Sequence, residues 1–288
     1  MLTRVDRIQL LVPDRAPVAD RWAALLGAEP AHEDVIEHLG ARRTSLRLGK
    51  GWVELLQPDG AGTAADALSA RGAHLFSAGM ATGDLEGLVA RLSVQGLTTV
   101  TENGQAFLAP GQTGSKGLRV VFSPDADLPA VGDVDFLYEV TLLTGDAAGS
   151  TSRIADLFGL DPANFVDINS PSYGYDGVLT RFRPDTLDRF EVITPTDPAK
   201  TMGRFHSKVG DCYYMAFAES DCLPLIEQRA LARGDGHTTK PPAADRGDHA
   251  IDSMFLHPGA LGGMMLGISR RTQAWSWSGH PEWVQEAN

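Results

Sequence analysis

The sequence has few cysteines, no excess of basic residues and no long apolar segment, and each absence excludes a class of protein. Its 288 residues include only 2 cysteines, Cys212 and Cys222. These are too few for a disulfide scaffold and too widely spaced for a CxxC zinc site, so we expect two reduced thiols. There are 25 Lys+Arg against 37 Asp+Glu, a formal net charge of −12. No basic run offsets this charge, so nucleic acid is not an expected partner.

Membrane and export signals are also missing from the sequence. No stretch approaches the roughly 18 uninterrupted apolar residues of a membrane span, so no membrane partner is expected. Residues 1–12 lack a long apolar region and a small-residue cleavage site, which predicts no signal peptide and a cytoplasmic location. A hydrophobic content of 43% with 22% charged residues is typical of a globular protein.

One pattern of strand, helix and further strands recurs along the chain. In its first occurrence Val5–Val12 alternates like a strand, and Ala19–Leu26 has helical spacing. Two more strands follow as a hairpin, Thr44–Leu48 and Trp52–Leu56. The pattern begins again at Ala73, Phe136 and Tyr213. A period of roughly 60–70 residues fits a supersecondary unit, so we predict an α+β fold of four βαβββ modules.

A polar segment at residues 125–133, punctuated by proline and glycine, separates the second module from the third. Such composition is typical of a domain boundary. We therefore predict an N-terminal domain at 1–128 and a C-terminal domain at 129–288. The C-terminal domain ends in a Trp-rich tail at 275–283, which we expect to fold back over the protein or to bury itself in a partner subunit.

Several phrases of the sequence resemble one superfamily. Val5–Ile8 with Val12–Asp14 looks like its opening strand, and Asp156–Leu160 like its helix end. Trp52–Pro58 looks like its closing strand. Phe255–Leu266 is similar to the ending of methylmalonyl-CoA epimerases. The chain thus resembles the vicinal oxygen chelate (glyoxalase/bleomycin resistance/extradiol dioxygenase) superfamily in a four-module tandem form.

The resemblance implies that the modules pair into two domains, each a curled sheet forming a half-barrel around a cavity. It also implies a divalent metal held by residues of the first and last strands, but most ligand positions differ here. Arg7 and Phe136 replace the first-strand histidine, while His74 lies one residue away from the aligned position. Glu54 and Glu191 are retained on closing strands. Glu54, His74 and Glu191 are therefore the candidate ligands of a degenerate metal site, and whether any cofactor is bound stays open.

The two retained carboxylates have another interpretation. A carboxyl group in a partly apolar cavity has its pKa raised by desolvation, which suits a general base. Alternatively, each pairs with an arginine across its hairpin, such as Arg47 or Arg181.

Further candidates for the site lie in the second half of the chain. We predict Glu191 as the catalytic base, with His206, expected in a loop, or Tyr214 as its proton partner. The expected substrate contacts are Tyr173 and Tyr175 in the long loop of module three, together with Arg181 and His257.

These residues support one leading hypothesis about function and leave two alternatives open. The leading hypothesis is an enzyme of lyase or isomerase type, acting on a small carbonyl or acyl substrate through a cavity carboxylate. The alternatives are an extradiol-dioxygenase-like metalloenzyme with atypical ligands and a non-catalytic protein that sequesters a small molecule. A small-molecule substrate or ligand is the expected partner in each case. Because modules of the superfamily often pair between chains, a homodimer is one option for the assembly.

Overall fold

The computed structural model of the chain describes residues 1–271 and 273–283. Its first half contains two βαβββ modules. Their elements are β1 (Leu2–Leu11), α1 (Arg15–Leu26), β2 (Glu29–Ile36), β3 (Ala41–Leu48), β4 (Gly51–Pro58), the linking helix α2 (Thr63–Arg71), β5 (His74–Thr82), α3 (Leu85–Val94), β6 (Val100–Glu102), β7 (Gln105–Leu108), α4 (Pro110–Thr113) and β8 (Val120–Pro124).

The second half repeats the same order of elements. These are β9 (Phe136–Leu143), α5 (Ala147–Phe158), β10 (Phe165–Ser170), β11 (Tyr175–Arg181), β12 (Arg189–Pro195), α6 (Thr201–Val209), β13 (Cys212–Glu219), α7 (Leu223–Arg233), β14 (His237–Lys240), α8 (Ala243–Arg246), β15 (Ser253–Leu256), α9 (Pro258–Leu261), β16 (Met265–Ser269) and α10 (Ala274–Trp277). Short 3₁₀ turns lie at Glu37–Leu39, Pro162–Asn164 and Pro281–Trp283.

The strands form two eight-stranded sheets of equivalent order. The N-terminal sheet runs β2-β3-β4-β1-β5-β8-β7-β6, and the C-terminal sheet runs β10-β11-β12-β9-β13-β16-β15-β14. In each module the first strand pairs with the last in parallel, as β9 does with β12, whereas hairpin neighbours such as β11 and β12 are antiparallel. The predicted α+β class, the four βαβββ modules and the two curled sheets are confirmed.

Two compact units divide the chain differently from the sheets. Unit A comprises residues 1–5, 77–126 and 139–214, and unit B comprises residues 6–76, 127–138 and 215–288. The predicted boundary between residues 128 and 129 lies in the connection from β8 to β9, and it stays a prediction.

The module helices begin and end where the sequence places capping residues. The Asp146 carboxylate accepts a hydrogen bond of 2.9 Å from the backbone N–H of Gly149, and Asp14 caps α1 in the same way at Ala16. Gly27 and Gly159 end α1 and α5 with φ of 69° and 66°. Glycine adopts this left-handed conformation without strain, which explains why both predicted helix ends are confirmed.

The core of unit A determines which face of β12 is available for function. Phe158 of α5 stacks on Phe190 of β12, with ring centroids 5.9 Å apart, and meets Phe122 of β8 edge-on at 5.5 Å. Side chains alternate between the two faces of a strand. Phe190 therefore faces α5, whereas Arg189 and Glu191 project from the opposite face.

Three smaller expectations concern the cysteines, the tail and membrane helices. Both cysteines are free, Cys212 buried and Cys222 partly exposed. The described part of the tail folds back within unit B, because Trp277 packs on Phe217 with ring centroids 6.0 Å apart. None of the described helices has the length and apolar character needed to cross a membrane.

Candidate functional site

The C-terminal sheet carries a buried acidic cluster where β9 and β12 run side by side. Glu139 of β9 is the register partner of Arg189, and Thr141 is the partner of Glu191. The Arg189 guanidinium donates to the Glu139 carboxylate at 2.5 Å, and the Thr141 hydroxyl donates to Glu191 Oε2 at 2.5 Å. One arginine and one hydroxyl therefore hold two neighbouring carboxyl groups in fixed positions.

The two carboxyl groups are not equivalent. Glu139 is 1% exposed and ion-paired with Arg189, whereas Glu191 retains 8% exposure. Burial and the neighbouring Glu139 carboxyl raise the pKa of Glu191 to about 8, against the opposing effects of Thr141 and Arg189. Glu191 therefore holds a proton more readily at neutral pH than an ordinary glutamate does.

Three tyrosines belong to the same region of unit A. Burial, the Glu191 carboxylate and Glu139 raise the pKa of Tyr175, and burial, Tyr173 and Glu191 raise the pKa of Tyr214. Both phenols therefore lie close enough to Glu191 for its charge to influence them. Tyr175 and Tyr214 are partly buried, whereas Tyr173 is 45% exposed at the rim.

An apolar wall completes the site. Leu143, Ile193 and Met202 are buried at its centre, and four partly buried side chains pack against them: Ile168, Tyr175, Phe205 and Tyr214. The ring of Phe205 meets that of Tyr214 edge-on with centroids 5.2 Å apart. Because these four side chains keep part of their surface exposed, the wall offers an apolar ligand a surface beside Glu191.

His206 lies on helix α6, and the expectation that it belongs to a loop is wrong. Its Nε2 is hydrogen-bonded to Asp211 Oδ1 at 2.7 Å, and the same carboxylate accepts the backbone N–H of Gly145 at 2.9 Å. The groups that shift the pKa of Glu191 are Glu139, Thr141 and Arg189. The roles of His206 and Tyr214 as proton partner stay predictions, and Glu191 contributes to the raised pKa of Tyr214.

Arg181 and His257 make hydrogen bonds with groups other than the Glu191 cluster. The Arg181 guanidinium donates to the carbonyl oxygens of Asn164 at 3.1 Å and Pro184 at 3.0 Å, so it anchors the end of β11. His257 belongs to unit B, where its backbone N–H donates to Gly236 and its residue precedes α9. Their predicted roles in substrate binding stay predictions.

In the N-terminal sheet, Glu54 is held by arginines, but not by Arg47. Arg7 donates to Glu54 Oε1 at 2.6 Å and Arg43 donates to the same oxygen at 3.1 Å. Gln9 donates to Oε2 at 2.7 Å. Burial alone would lower the pKa of Arg7, but Asp6 and Glu54 raise it above its ordinary value. Glu54 is thus a charged member of a buried ionic network, as the alternative interpretation of this residue expected.

The strand register corrects the alignment of the third module. Arg7 pairs with Trp52, two residues before Glu54, and Glu139 pairs with Arg189, two residues before Glu191. Glu139, not Phe136, therefore occupies the position on β9 that Arg7 occupies on β1. Sequence reasoning overlooked Glu139, although polar residues at alternate positions of an otherwise apolar strand were a usable signal.

The side chains present do not fit the metal that the superfamily resemblance implies. Around Glu54 the place of a cation is taken by the guanidinium groups of Arg7 and Arg43. The carboxyl group beside Glu191 is that of Glu139, and Glu139 is already ion-paired with Arg189. His74 is hydrogen-bonded through Nδ1 to the carbonyl of Gly72 at 2.7 Å. In the described part of the chain no three His, Cys, Asp or Glu side chains group as a metal site would require.

Comparisons with known proteins agree with this fold. Residues 6–115 match the model of the Glyoxalase/Bleomycin resistance protein/Dioxygenase superfamily. No curated protein matches the chain. A mutant of 4-hydroxymandelate synthase from Streptomyces coelicolor has a TM-score of 0.73 and 15% identity, over 94% of this chain and 93% of that one.

Two further solved structures are similar to the chain. A xylose isomerase-like TIM barrel/4-hydroxyphenylpyruvate dioxygenase fusion protein has a TM-score of 0.63 and 13% identity, over 94% of this chain and 49% of that one. Methylmalonyl-CoA epimerase from Mycobacterium tuberculosis has a TM-score of 0.40 and 18% identity, over 50% of this chain and 93% of that one. The first two matches establish a shared fold. Over residues 6–115 the chain is similar to the Glyoxalase/Bleomycin resistance protein/Dioxygenase superfamily.

Proposed function

We propose that the protein is an enzyme of lyase or isomerase type that moves a proton at a carbon next to a carbonyl group, with Glu191 as the acid–base residue. The observation that carries this proposal is a buried carboxyl group of raised pKa, about 8, beside two phenols and an apolar wall. A base whose pKa lies near the working pH transfers protons efficiently in both directions.

The proposed step uses three side chains. The carboxylate of Glu191 removes a proton from the carbon, and the electron pair of the C–H bond moves to the carbonyl oxygen. The hydroxyl groups of Tyr175 and Tyr214 donate hydrogen bonds to the enolate oxygen so formed. Their raised pKa values keep them protonated and able to donate. Glu191 then returns the proton to the same carbon, which re-forms the carbonyl group. In a lyase the enolate would instead expel a leaving group from the next carbon, and that group would take up the proton from Glu191.

Glu139, Arg189 and Thr141 act as positioning residues in this scheme. The Glu139 carboxylate keeps the pKa of Glu191 high, while Arg189 fixes Glu139 in place. Thr141 holds one oxygen of the Glu191 carboxyl group, which orients the other oxygen relative to a ligand.

A non-catalytic binding protein is the second candidate, and the apolar wall of Leu143, Ile193 and Met202 favours it. Apolar contacts and a few phenols are sufficient to sequester a small molecule. A dioxygenase-like metalloenzyme is less well supported, because the donor sets at Glu54 and Glu191 do not suit a divalent metal.

Hydrogen–deuterium exchange tests the proposal without knowledge of the natural substrate. A panel of small ketones, including 2-tetralone, is incubated in D₂O with the wild-type protein, and loss of the proton signal next to the carbonyl is followed by NMR. We expect accelerated exchange with the wild type and the Glu29→Gln control, in which an exposed glutamate is changed. Glu191→Gln should reduce the acceleration by about 100-fold or more. Equal acceleration by Glu191→Gln would refute the proposal, and tight binding without exchange would favour the sequestering protein.

A further inference from the structure

We infer that the ligand of the Glu191 site is an uncharged, largely apolar ketone rather than a carboxylate or a phosphorylated acyl ester. This inference rests on the proposed function only in placing the carbonyl group beside Glu191. Three observations support it. Basic side chains near the site already have partners, the acidic pair would repel an anion, and the wall is apolar.

Four basic side chains on the elements that form the site already have anionic or carbonyl partners, and Lys208 of α6 is exposed. Arg189 is ion-paired with Glu139, and Arg181 donates to two backbone carbonyls. On and before α6, Lys200 Nζ donates to the carbonyl of Pro171 at 2.6 Å, and His206 is bonded to Asp211. A ligand carboxylate would therefore have to compete with an existing partner for any of these groups.

The acidic pair opposes an anionic ligand as well. Glu139 carries a negative charge balanced by Arg189, and the neighbouring Glu191 is neutral only while it holds its proton. A second carboxylate at this place would repel both groups and would be desolvated without a counter-ion. The neutral donors in this region are the phenols of Tyr214 and of Tyr175, which also has a hydrogen bond with Ser170, and a phenol suits a carbonyl oxygen.

The remaining surface is suited to hydrocarbon. Ile168 of β10 and Phe205 of α6 pack from two sides on the buried centre of the wall. The turn before β11 and the start of α6 are tied together, because Met202 N–H donates to the carbonyl of Tyr173 at 3.2 Å. Tyr173 is thus fixed at the exposed rim, so the ligand has an apolar body inside and its polar carbonyl at the Glu191 end.

A pair of probes with the same ring system tests the charge preference directly. The full-length protein is titrated near neutral pH with 2-acetylnaphthalene, a neutral ketone, and with 2-naphthoate, its carboxylate counterpart, and binding is followed by calorimetry. We expect the ketone to bind about tenfold more tightly or better. Equal or tighter binding of 2-naphthoate, or no binding of either probe, would overturn the inference.

A matched pair of variants places the binding at this wall. Ile168→Ala should weaken ketone binding about fivefold by removing apolar contact, whereas Leu231→Ala, which changes a side chain 65% exposed on α7, should not. Unchanged binding in Ile168→Ala would place the ketone elsewhere and overturn the inference. Because binding is measured without turnover, a preference for the ketone combined with absent deuterium exchange would refute the proposed reaction but not the ligand class.

Discussion

At the scale of single residues, one equivalent position on β1 and β9 carries opposite charges, Arg7 in the first module and Glu139 in the third. Arg7 on β1 is ion-paired with Glu54 on β4, the last strand of the first module. Glu139 on β9 is ion-paired with Arg189 on β12, the last strand of the third module. The exchange leaves Glu191 beside a carboxylate instead of a guanidinium. Glu54 is therefore a structural anion, whereas Glu191 can gain and lose a proton.

Glu139→Gln tests this electrostatic account of Glu191. The substitution removes the carboxylate that raises the pKa of Glu191 and leaves Arg189 in its vicinity, so this pKa should fall from about 8 toward its ordinary value. The pH profile of deuterium exchange should then rise at a midpoint lower by about one unit or more. Its plateau should also be lower, because Glu191 becomes a weaker base.

Asp167→Asn provides the control for this measurement, because Asp167 is an exposed carboxylate on the neighbouring strand β10. We expect its profile to coincide with that of the wild type. A Glu139→Gln profile with an unshifted midpoint would mean that Glu139 does not set the pKa of Glu191.

Arg7→Met tests whether Arg7 and Glu54 stabilise the protein as a pair. Both side chains are buried, so removing Arg7 leaves Glu54 with less compensation and should lower the free energy of unfolding by about 3 kcal/mol. Arg7→Met combined with Glu54→Gln should be destabilised by less than the sum of the two single changes, as measured by urea unfolding.

The exposed pair of Arg42 and Asp59 is the matched control, with side chains 57% and 43% exposed. Arg42→Met should change the free energy of unfolding by about 0.5 kcal/mol or less. Strict additivity of Arg7→Met and Glu54→Gln would show that the two groups do not interact.

At the scale of elements, long strands and capped helices were predictable and short linking helices were not. The alternation in residues 189–193 and the glycine at position 159 are local signals, and β12 and the end of α5 are found where they predict. Helices α2 and α6 have only nine residues each, and helices this short depend on tertiary packing rather than on propensity. For this reason His206 was expected in a loop.

Gly177 of β11 allows the close approach of β12 that places Ile193 in the apolar wall. A methyl group at this position would lie 2.5 Å from the carbonyl oxygen of Val192 and 2.7 Å from Ile193 Cγ2. Gly177→Ala should therefore displace Ile193 and lower the free energy of unfolding by about 1–3 kcal/mol, with weaker ketone binding. Gly259→Ala, where no atom lies within 4 Å of the added carbon, should leave urea unfolding unchanged. Equal stability of the two variants would contradict this role of Gly177.

At the scale of the whole molecule, the repeated βαβββ pattern made the fold predictable from sequence. The site was not predictable in the same way, because it depends on the register in which distant strands pair. Four passes of one pattern are visible in the sequence, and the two sheets follow them strand for strand. The site combines residues from β9, β11, β12, α6 and β13, and their proximity depends on strand pairing between distant segments. Glu191 and Tyr214 could be chosen as candidates from sequence. The pairing of Glu139 with Arg189 could not, because a one-residue error in the strand register would place their side chains on opposite faces of the sheet.

Two buried carboxyl groups should make the stability of the protein fall as the pH rises. Burial, the first cause for each, raises the pKa of Glu191 to about 8 and that of Asp188 to about 7. The folded state therefore binds these protons more tightly than the unfolded state. The stabilisation of the folded state by these two protons is complete below the ordinary pKa of a carboxyl group, and it is lost as the pH rises through 7 and 8. From pH 5 to 9 the free energy of unfolding in urea should drop by several kcal/mol, since one pKa unit corresponds to about 1.4 kcal/mol. Glu191→Gln with Asp188→Asn should flatten the drop, and an equally steep drop in this double variant would assign it to other groups.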